Sequence, residues 1–190
     1  MLVKTVFAGF GGQGVMAAGF ALAHAAMVEG RHVTFLPSYG AEVRGGTANC
    51  TVSISDEEIA SPVASSPEYV VAFNAPSLMR FQNHIQTGGQ LFLNSTLIGE
   101  EPHRMDVEIF RVPAGEIAER LGNPRGTNMV MLGAFVKVTR VVAFETILGL
   151  LPEIFGERRK KLIAVNEQAL RAGYDSLGEG ARDERQADHR

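Results

Sequence analysis

The sequence predicts an α/β fold, a three-layer α/β/α sandwich on a mainly parallel sheet. Over 190 residues, short runs of strand-forming residues alternate with longer stretches of helical spacing. Most of the strand-like runs are apolar throughout, as is typical of parallel strands covered on both faces. The predicted strands are Lys4–Ala8, His32–Leu36, Ala48–Ser55, Tyr69–Phe73, Gln90–Asn94 and Glu108–Val112. The predicted helices are Val15–Val28, Pro76–Thr87, Gly115–Leu121, Asn128–Thr139 and Arg158–Ala172.

The turn after the first strand reads Gly9-Phe-Gly-Gly-Gln-Gly14 and leads directly into a helix. This spacing is typical of a Rossmann-like sheet. It aims backbone N–H groups and the helix dipole at one point. We interpret Gly9 as the residue that permits a tight turn with an unusual φ angle, Gly11 as the close approach to a ligand, and Gly14 as the contact between helix and strand. The turn therefore predicts a site that faces a phosphate or pyrophosphate.

The carboxylate that a NAD site places at the tip of the second strand is missing. That strand runs into Pro37-Ser-Tyr-Gly40, and the nearest acid, Glu42, belongs to a different motif. Three interpretations of the glycine turn stay open at this point. It is a NAD(P) site, a site for another phosphate-bearing ligand or one shared with a partner, or a purely structural turn.

The first helix, Val15–Val28, is apolar nearly all round and is broken mainly by His24. A helix at the surface would show a polar stripe, so we expect this one to be covered on both sides. Its own sheet supplies one cover, and a further element or a partner chain supplies the other. We interpret His24 as a buried packing residue rather than a catalyst.

The run Thr47–Ser55 alternates more regularly between polar and apolar residues, which favours an edge or antiparallel strand. It contains the single cysteine of the chain, Cys50, so an intramolecular disulfide is excluded. One thiolate also cannot supply the ligands of an iron–sulfur cluster. We expect Cys50 to be a buried strand residue.

The loop that follows the second strand contains three glycines and the pair Glu42 and Arg44. Loops at the carboxyl ends of neighbouring strands form the ligand crevice of such sheets, so we expect this loop beside the glycine turn. The planar guanidinium of Arg44 suits a phosphate or carboxylate. The alternative is an ion pair with Glu42 or across a subunit interface.

Composition restricts the class of protein further. The net charge of −3 gives no sign of a nucleic-acid surface. No apolar run approaches the roughly 18 residues of a membrane span, and the start shows no signal-peptide layout, so we expect a cytoplasmic protein. We predict a single domain over residues 1–173 and, because the chain turns polar and charged from Tyr174, a disordered tail over 174–190.

Together these motifs resemble the gamma subunit of the 2-oxoacid:ferredoxin oxidoreductases, a family that includes the 2-oxoglutarate, 2-ketoisovalerate and pyruvate enzymes. The resemblance covers about residues 3–170. Its motifs are Gly9-Phe-Gly-Gly-Gln-Gly14, Ser38-Tyr-Gly-Ala-Glu-Val-Arg-Gly-Gly-Thr-Ala-Asn49, Ser61-Pro62, Ala72-Phe-Asn-Ala-Pro-Ser-Leu78, Gly88-Gly89 and Asn94-Ser95.

The resemblance implies a subunit of a thiamine-diphosphate enzyme that oxidatively decarboxylates a 2-oxoacid, reduces ferredoxin and transfers the acyl group to coenzyme A. In this family, thiamine diphosphate and Mg²⁺ lie mainly between the alpha and beta subunits, and the iron–sulfur clusters belong to the beta subunit or a ferredoxin-like delta subunit. This chain is then expected to hold none of these cofactors, to contain no catalytic residue and to be inactive alone. Among the substrates, Pro37-Ser-Tyr-Gly40 and Thr47-Ala-Asn49 are most similar to the 2-oxoglutarate or branched-chain enzymes, and 2-oxoglutarate is our best match.

For the site, we predict that the pyrophosphate of coenzyme A is the ligand of the glycine turn. The predicted binding residues are Gly11, Gly12, Gln13, Gly14 and Arg44. Two other functions remain open: a free-standing NAD(P) or flavin oxidoreductase, and a non-catalytic scaffold subunit whose turn carries no ligand.

Overall fold

The computed structural model describes residues 1–40 and 46–178, which form a sheet of six strands and six helices. The strands are β1 (Leu2–Phe10), β2 (His32–Tyr39), β3 (Thr47–Ser55), β4 (Tyr69–Ala72), β5 (Gln90–Asn94) and β6 (Glu108–Val112). The helices are α1 (Val15–Val28), α2 (Ala75–Phe81), α3 (Ala114–Arg120), α4 (Thr127–Thr139), α5 (Phe144–Phe155) and α6 (Lys160–Ser176). A short 3₁₀ turn, Pro124–Gly126, precedes α4.

The strands lie in the order β2-β3-β1-β4-β5-β6. β1, β4, β5 and β6 are parallel, whereas β3 is antiparallel to both of its neighbours. One face of the sheet is covered by most of the helices and the other by α2 and loops, so the predicted three-layer fold is confirmed. The alternating pattern of β3 correctly indicates an antiparallel strand, but the edge strands of the sheet are β2 and β6.

β1 and β2 are both longer than predicted because β3 pairs with each of them along its length. The ladder with β1 covers Leu2–Phe10, and the ladder with β2 covers His32–Tyr39. β2 continues through Pro37. An edge strand tolerates a proline, because on its outer side no backbone N–H has to donate to a neighbouring strand. Pairing with β3 therefore extends β2 through residues 37–39, although the local sequence there is typical of a turn.

The core on the helix-rich face is built around Phe135 of α4. Its ring centroid lies 5.7 Å from that of Phe7 and 5.3 Å from that of Phe92, both in edge-on geometry. Such pairs add about 0.5–1.5 kcal/mol beyond the area they bury. α4 is thereby fixed across β1 and β5. Cys50 is buried on the same face, as predicted.

α1 is covered on both sides, as its composition predicts. It packs on β2 and β3, and α5 and α4 of the same chain cover its other side. Phe20 and Met27 remain exposed, at 48% and 61%. His24 is partly buried rather than fully buried as expected, and its Nε2 lies 3.4 Å from Glu153 Oε1 on α5. A partner chain is therefore not needed to explain the apolar character of α1.

α5 is the helix that the sequence pattern missed. It contains Pro152, and a proline normally ends a helical pattern. Here the proline lies in the last turn, while Ile147 and Leu151, spaced as on one helical face, are buried. Packing against α1 and α6 therefore stabilises a helix that its local sequence does not predict.

α2 and α6 differ from their predicted bounds in opposite directions. α2 ends at Phe81 rather than at residue 87, in a turn closed by the His84 N–H and the Phe81 carbonyl. α6 continues to Ser176, since the Tyr174 ring packs 4.1 Å from the Phe144 ring and Leu177 is buried.

The domain boundary predicted at residue 173 therefore falls inside α6, and the start of the tail at 174 was placed too early. The reason is that this stretch keeps apolar residues for one side of the helix, although its overall composition is polar. The rest of the predicted tail, residues 179–190, lies outside the described residues. None of the helices in the two described ranges is long and apolar enough to span a membrane.

α4 and α6 cross at two glycines that bring their backbones into direct contact. A Cβ at Gly133 would overlap the carbonyl of Leu170, and a Cβ at Gly173 would overlap the carbonyl of Val130. Because close-packed interiors cannot absorb such overlaps, these two positions fix how closely α6 approaches α4.

We expect Gly173→Ala to lower the free energy of unfolding by about 1–3 kcal/mol, because the added methyl must force α4 and α6 apart. Gly149→Ala is the matched control, since it lies in α5 and its Cβ would meet no described atom within 4 Å. The control should gain about 0.5–1 kcal/mol from the better helix propensity of alanine. Urea denaturation followed by circular dichroism measures both. Equal stability of Gly173→Ala and the wild type would contradict this account of the crossing.

Candidate functional site

The glycine turn joins β1 to α1, and its conformation depends on Gly12 and Gly14. Their φ angles are +99° and +74°, in the left-handed region that favours glycine. Gly9 instead lies in β1, where a Cβ would come within 2.7 Å of Gln13 Oε1 and Val15 Cγ2. The predicted role of Gly9 as the residue of unusual φ is therefore wrong, because the turn begins after β1 has ended. Gly9 allows close packing under the turn.

Gly14 contacts a helix rather than the strand. A Cβ there would lie 2.5 Å from Asn128 Nδ2 in the first turn of α4. Asn128 Nδ2 also donates to the Gly14 carbonyl at 3.2 Å. The predicted helix–strand contact is thus replaced by a contact that brings the start of α4 to the start of α1.

Both helices begin without a side-chain cap. The N-cap residues are Gly14 for α1 and Gly126 for α4, and within the described chain neither makes a side-chain cap or is followed by an acidic residue in the first turn. The first N–H groups of a helix lack carbonyl partners within it, and the helix dipole adds about half a positive charge there. Two such ends meet at Gly14 and Asn128 without an acidic residue in either first turn, and together they favour an anion.

The carboxamide of Gln13 is held in one orientation through Asn74. Asn74 Oδ1 caps α2 by accepting from the Ser77 N–H at 3.0 Å, so its Nδ2 is a donor. That Nδ2 donates to Gln13 Oε1 at 2.8 Å, and the Phe10 N–H donates to the same oxygen at 2.7 Å. The Nε2 of Gln13 is therefore the end that faces away from this network.

A cleft of about 280 Å³ opens beside the turn, at the carboxyl ends of β1 and β5. Its lining includes Gly12, Gln13, Asn94, Thr96, Leu97 and Arg125. Of these, the sequence predicted only Gly12 and Gln13 as site residues. Asn94 ends a predicted strand and belongs to the Asn94-Ser95 motif of the resemblance. Both signals could have marked it, since ligands bind beyond the carboxyl ends of parallel strands.

Asn94 forms part of the floor of this cleft. The residue is fully buried, and its Nδ2 donates to the Phe73 carbonyl at 3.4 Å. Its Oδ1 has no hydrogen-bond partner in the described structure. A buried acceptor without a partner typically costs about 1–3 kcal/mol, so it requires an explanation.

The loop after β2 lies beside the glycine turn, as predicted, at the end that the structure describes. The Gly11 N–H donates to the Gly46 carbonyl at 2.9 Å, and the Gly40 N–H to the Thr47 carbonyl at 2.7 Å. Arg44 and Glu42 lie outside the described residues, so the predicted phosphate contact of Arg44 stays a prediction.

The described residues do not favour nucleophilic catalysis by a thiol or metal binding. Burial raises the pKa of the Cys50 thiol to about 12, and the thiol lies against Gly19 of α1. A thiol with that pKa is neutral and unreactive. Across residues 1–40 and 46–178, no cluster of three or more His, Cys, Asp or Glu side chains could hold a metal ion.

The hydrogen bonds around Asn74 generate a prediction. Asn74→Ala removes the cap of α2 and the donor to Gln13, and should lower the free energy of unfolding by about 0.5–2 kcal/mol. Asn74→Asp is the matched variant, because it keeps the cap acceptor and turns only the contact with Gln13 repulsive. Urea denaturation measures the stability, and the side-chain amide NMR signals of Gln13 report its orientation. We expect those signals to change in both variants but the cap to fail only in Asn74→Ala. Unchanged Gln13 signals in both would refute the network.

Comparisons with known proteins identify the family of the chain. The family model of pyruvate ferredoxin/flavodoxin oxidoreductase matches residues 4–176. The ketoisovalerate oxidoreductase subunit VorA of Methanothermobacter marburgensis is 39% identical over 180 residues, covering 91% of this chain and 36% of that protein. The 2-oxoglutarate synthase subunit KorC of Methanothermobacter thermautotrophicus is 36% identical over 186 residues, covering 92% and 95%. The chain thus matches KorC over nearly its full length but only about a third of VorA.

Solved structures share the fold. The gamma subunit of a keto/oxoacid ferredoxin oxidoreductase from Geobacter sulfurreducens superposes with a TM-score of 0.77 at 25% identity, covering 92% of this chain and 97% of that one. The pyruvate oxidoreductase subunit PORC of Thermotoga maritima gives 0.76 at 28%, covering 92% and 96%. A 2-oxoglutarate:ferredoxin oxidoreductase from Magnetococcus marinus, with 2-oxoglutarate, coenzyme A and succinyl-CoA bound, gives 0.85 at 24%, covering 94% and 32%, which supports the fold alone. The chain therefore belongs to the pyruvate ferredoxin/flavodoxin oxidoreductase family, among relatives that are subunits of 2-oxoacid:ferredoxin oxidoreductases.

Proposed function

We propose that this chain is the gamma subunit of a thiamine-diphosphate-dependent 2-oxoacid:ferredoxin oxidoreductase and that it binds coenzyme A for that complex. The overall reaction converts a 2-oxoacid and coenzyme A into acyl-CoA and CO₂, releasing one proton and two electrons that reduce ferredoxin. The observation that carries the proposal is the meeting of two uncapped helix starts, α1 and α4, at an open glycine turn. Such a surface suits a pyrophosphate.

Gly12 is the position where the ligand approaches most closely. A Cβ at Gly12 would meet no described atom within 4 Å, so its Cα borders open space beside the helix starts. Gln13 Nε2 supplies a neighbouring donor. The hydrogen bond between Gly11 and Gly46 keeps the loop after β2 beside the glycine turn. Arg44 of that loop would add a charge-assisted contact.

The cofactors of the reaction do not fit the described residues of this chain. An iron–sulfur cluster needs several thiolates, and Cys50 is a single neutral thiol beneath α1. Mg²⁺ with thiamine diphosphate needs carboxylate or carbonyl oxygens around an open site, and the cleft is lined mainly by amides, hydroxyls and apolar groups. We therefore assign these cofactors to alpha, beta and delta partner subunits.

For the 2-oxoacid, we propose 2-oxoglutarate, with a branched-chain oxoacid as the alternative. The loop sequences at 37–40 and 47–49 support both. The relatives include 2-oxoglutarate, ketoisovalerate and pyruvate subunits at comparable identities, from 39% for VorA to 30% for the pyruvate synthase subunit PorC of Methanothermobacter marburgensis. Since the oxoacid reacts on the thiamine of other subunits, this chain has little influence on that choice.

The two other functions make different demands on the site. A NAD(P) oxidoreductase needs a carboxylate at the tip of the second strand, and β2 ends instead in Ser38 and Tyr39. A scaffold without a ligand would leave the two helix starts uncapped. The missing carboxylate and the uncapped helix starts favour coenzyme A.

In the reconstituted complex, we expect Gly12→Ala and Arg44→Ala each to raise the apparent KM for coenzyme A by about 10- to 100-fold. The first variant blocks the close approach of the pyrophosphate to the backbone, and the second removes a charge-assisted contact with it. Thiamine-dependent decarboxylation without coenzyme A should change little. Gly30→Ala is the matched control, since Gly30 also has a positive φ and open space at its Cβ but lies beyond the far end of α1. Unchanged coenzyme A dependence in a correctly assembled complex would leave the turn with only a structural role.

We expect the chain to join a stable assembly when it is co-expressed with the alpha and beta subunits of its oxidoreductase. Its described residues offer binding groups but no catalytic set, so its activity depends on those partners. Gel filtration with mass detection measures the assembly, and Gly173→Ala, which loosens α6, serves as a folding control. A chain that remains a separate monomer in the presence of both partners would contradict the proposal.

A further inference from the structure

The two edges of the sheet are protected to different degrees. β6 has five residues and carries Glu108 and Arg111. β2 has eight residues, and none of them is Lys, Arg, Asp or Glu. Natural sheets protect an open edge with short strands, charged residues or prolines, because its free backbone groups otherwise pair with another strand. Pro37 is the one such feature of β2, so this edge is open over most of its length.

Pro37 marks which backbone groups of β2 face outward. A proline lacks the N–H and lies where that group would point to solvent. Because the backbone groups of an antiparallel strand alternate in direction, those of Val33 and Phe35 also point away from β3. No strand of the described residues pairs with β2 on that side. Residues 32–36 can therefore pair with a further antiparallel strand, and Pro37 lies beyond that pairing.

An apolar stripe of α1 lies beside this open edge. Phe20 and Met27 are both exposed, and with His24 they follow the spacing of one helical face. The Phe20 ring lies 6.3 Å from the Phe35 ring in edge-on geometry, so the stripe continues onto β2. α4 and α5 cover the opposite side of α1 and leave this stripe open. Strand edge and helix stripe thus form one continuous apolar surface.

This surface matches itself under a two-fold axis at Thr34. Side chains alternate along a strand, so Tyr39 lies on the same face as Phe35 and α1. Tyr39 is 68% exposed at one end of β2, and Met27 and Val28 are exposed beside the other end. The axis brings these two ends together, because it places the last residues of each β2 beside the first residues of the other.

The charges also suit pairing with an identical strand. Near a two-fold axis a residue lies opposite or beside its own copy, so a charged residue there would repel itself. Residues 32–39 contain no acidic residue, no lysine and no arginine. The one titratable side chain of the paired segment, His32, lies opposite Leu36 of the second copy and not opposite itself. An identical strand therefore meets this edge without repulsion.

We propose that the edge of β2 and the stripe of α1 bind a second copy of this chain, with the two β2 strands antiparallel about Thr34. The two six-stranded sheets then join into one. Because β6 is protected, each chain offers one such edge, and the contact closes at a dimer. We expect a dissociation constant on the order of micromolar, at the weak end for protein interfaces. The proposal does not depend on which ligand the glycine turn binds.

Sedimentation equilibrium of the full chain measures this association. Leu36→Lys should raise the dissociation constant of the dimer about tenfold or more, because it removes apolar contact and places a charge on the edge. Leu162→Lys is the matched control, since Leu162 is 37% exposed on α6 and Leu36 is 39% exposed. The control should leave the dissociation constant unchanged.

A second substitution tests the register. Adding His32→Glu to Leu36→Lys should restore the dissociation constant to within about threefold of the wild type, because opposite charges directly across two strands attract. Within one chain, positions 32 and 36 are about 13 Å apart along the strand, so this rescue arises only between copies.

A disulfide provides an independent test. Thr34 is partly exposed and its hydroxyl makes no hydrogen bond in the described structure, so Thr34→Cys removes none. Residues directly opposite at a non-hydrogen-bonded pair have Cα atoms about 4.5 Å apart, within disulfide range. Ser38→Cys is the control, because its two copies would be about 26 Å apart. Mild oxidation should link Thr34→Cys alone, in the isolated chain and in the complex with the alpha and beta subunits.

Several results would overturn the proposal. These are a wild-type chain that is monomeric at about 100 times the expected micromolar constant, a dimer that Leu36→Lys leaves intact, and equal linking of Thr34→Cys and Ser38→Cys. A link that forms in the isolated chain but not in the assembled complex would assign the edge to another subunit and would overturn it as well.

Discussion

The contact between Gly14 and Asn128 is the constraint on which the site depends. A Cβ at Gly14 would lie 2.5–2.9 Å from three atoms of the Asn128 side chain, so only glycine allows the two helix starts to meet. The hydrogen bond from Asn128 Nδ2 to the Gly14 carbonyl then holds them together. In the described structure neither N-cap residue caps its helix with a side chain, and helix starts favour an anion.

The rest of the fold keeps this contact in place. α4 is held on the sheet by the rings around Phe135 and against α6 by the glycine crossing at Gly133 and Gly173. α1 is held against β3 by the close contact between Gly19 and the Cys50 side chain. Both helices are therefore fixed along their length by contacts that leave little freedom at their starts. A preorganised anion surface loses less entropy on binding than a mobile one.

Contiguous motifs of the site could be predicted from the sequence, whereas the meeting of distant segments could not. Strand, glycines and helix follow one another from residue 3 to 28, so the turn and its anion preference follow from local patterns. Asn128 joins Gly14 across a separation of 114 residues, and no pattern in α4 marks that contact. Asn94 was marked only by the end of a strand and by the short motif Asn94-Ser95. The role given to Gly9 failed for a related reason, since the length of β1 depends on its pairing with β3.

The chemistry of the cleft is that of binding rather than of proton transfer. Its polar groups are amides, hydroxyls and helix N–H groups, with Glu119 and Arg125 exposed at the rim. The one thiol, Cys50, is buried with its pKa raised to about 12. Because amides and hydroxyls do not titrate near neutral pH, the hydrogen bonds that the Gln13 carboxamide offers to a ligand do not vary with pH there.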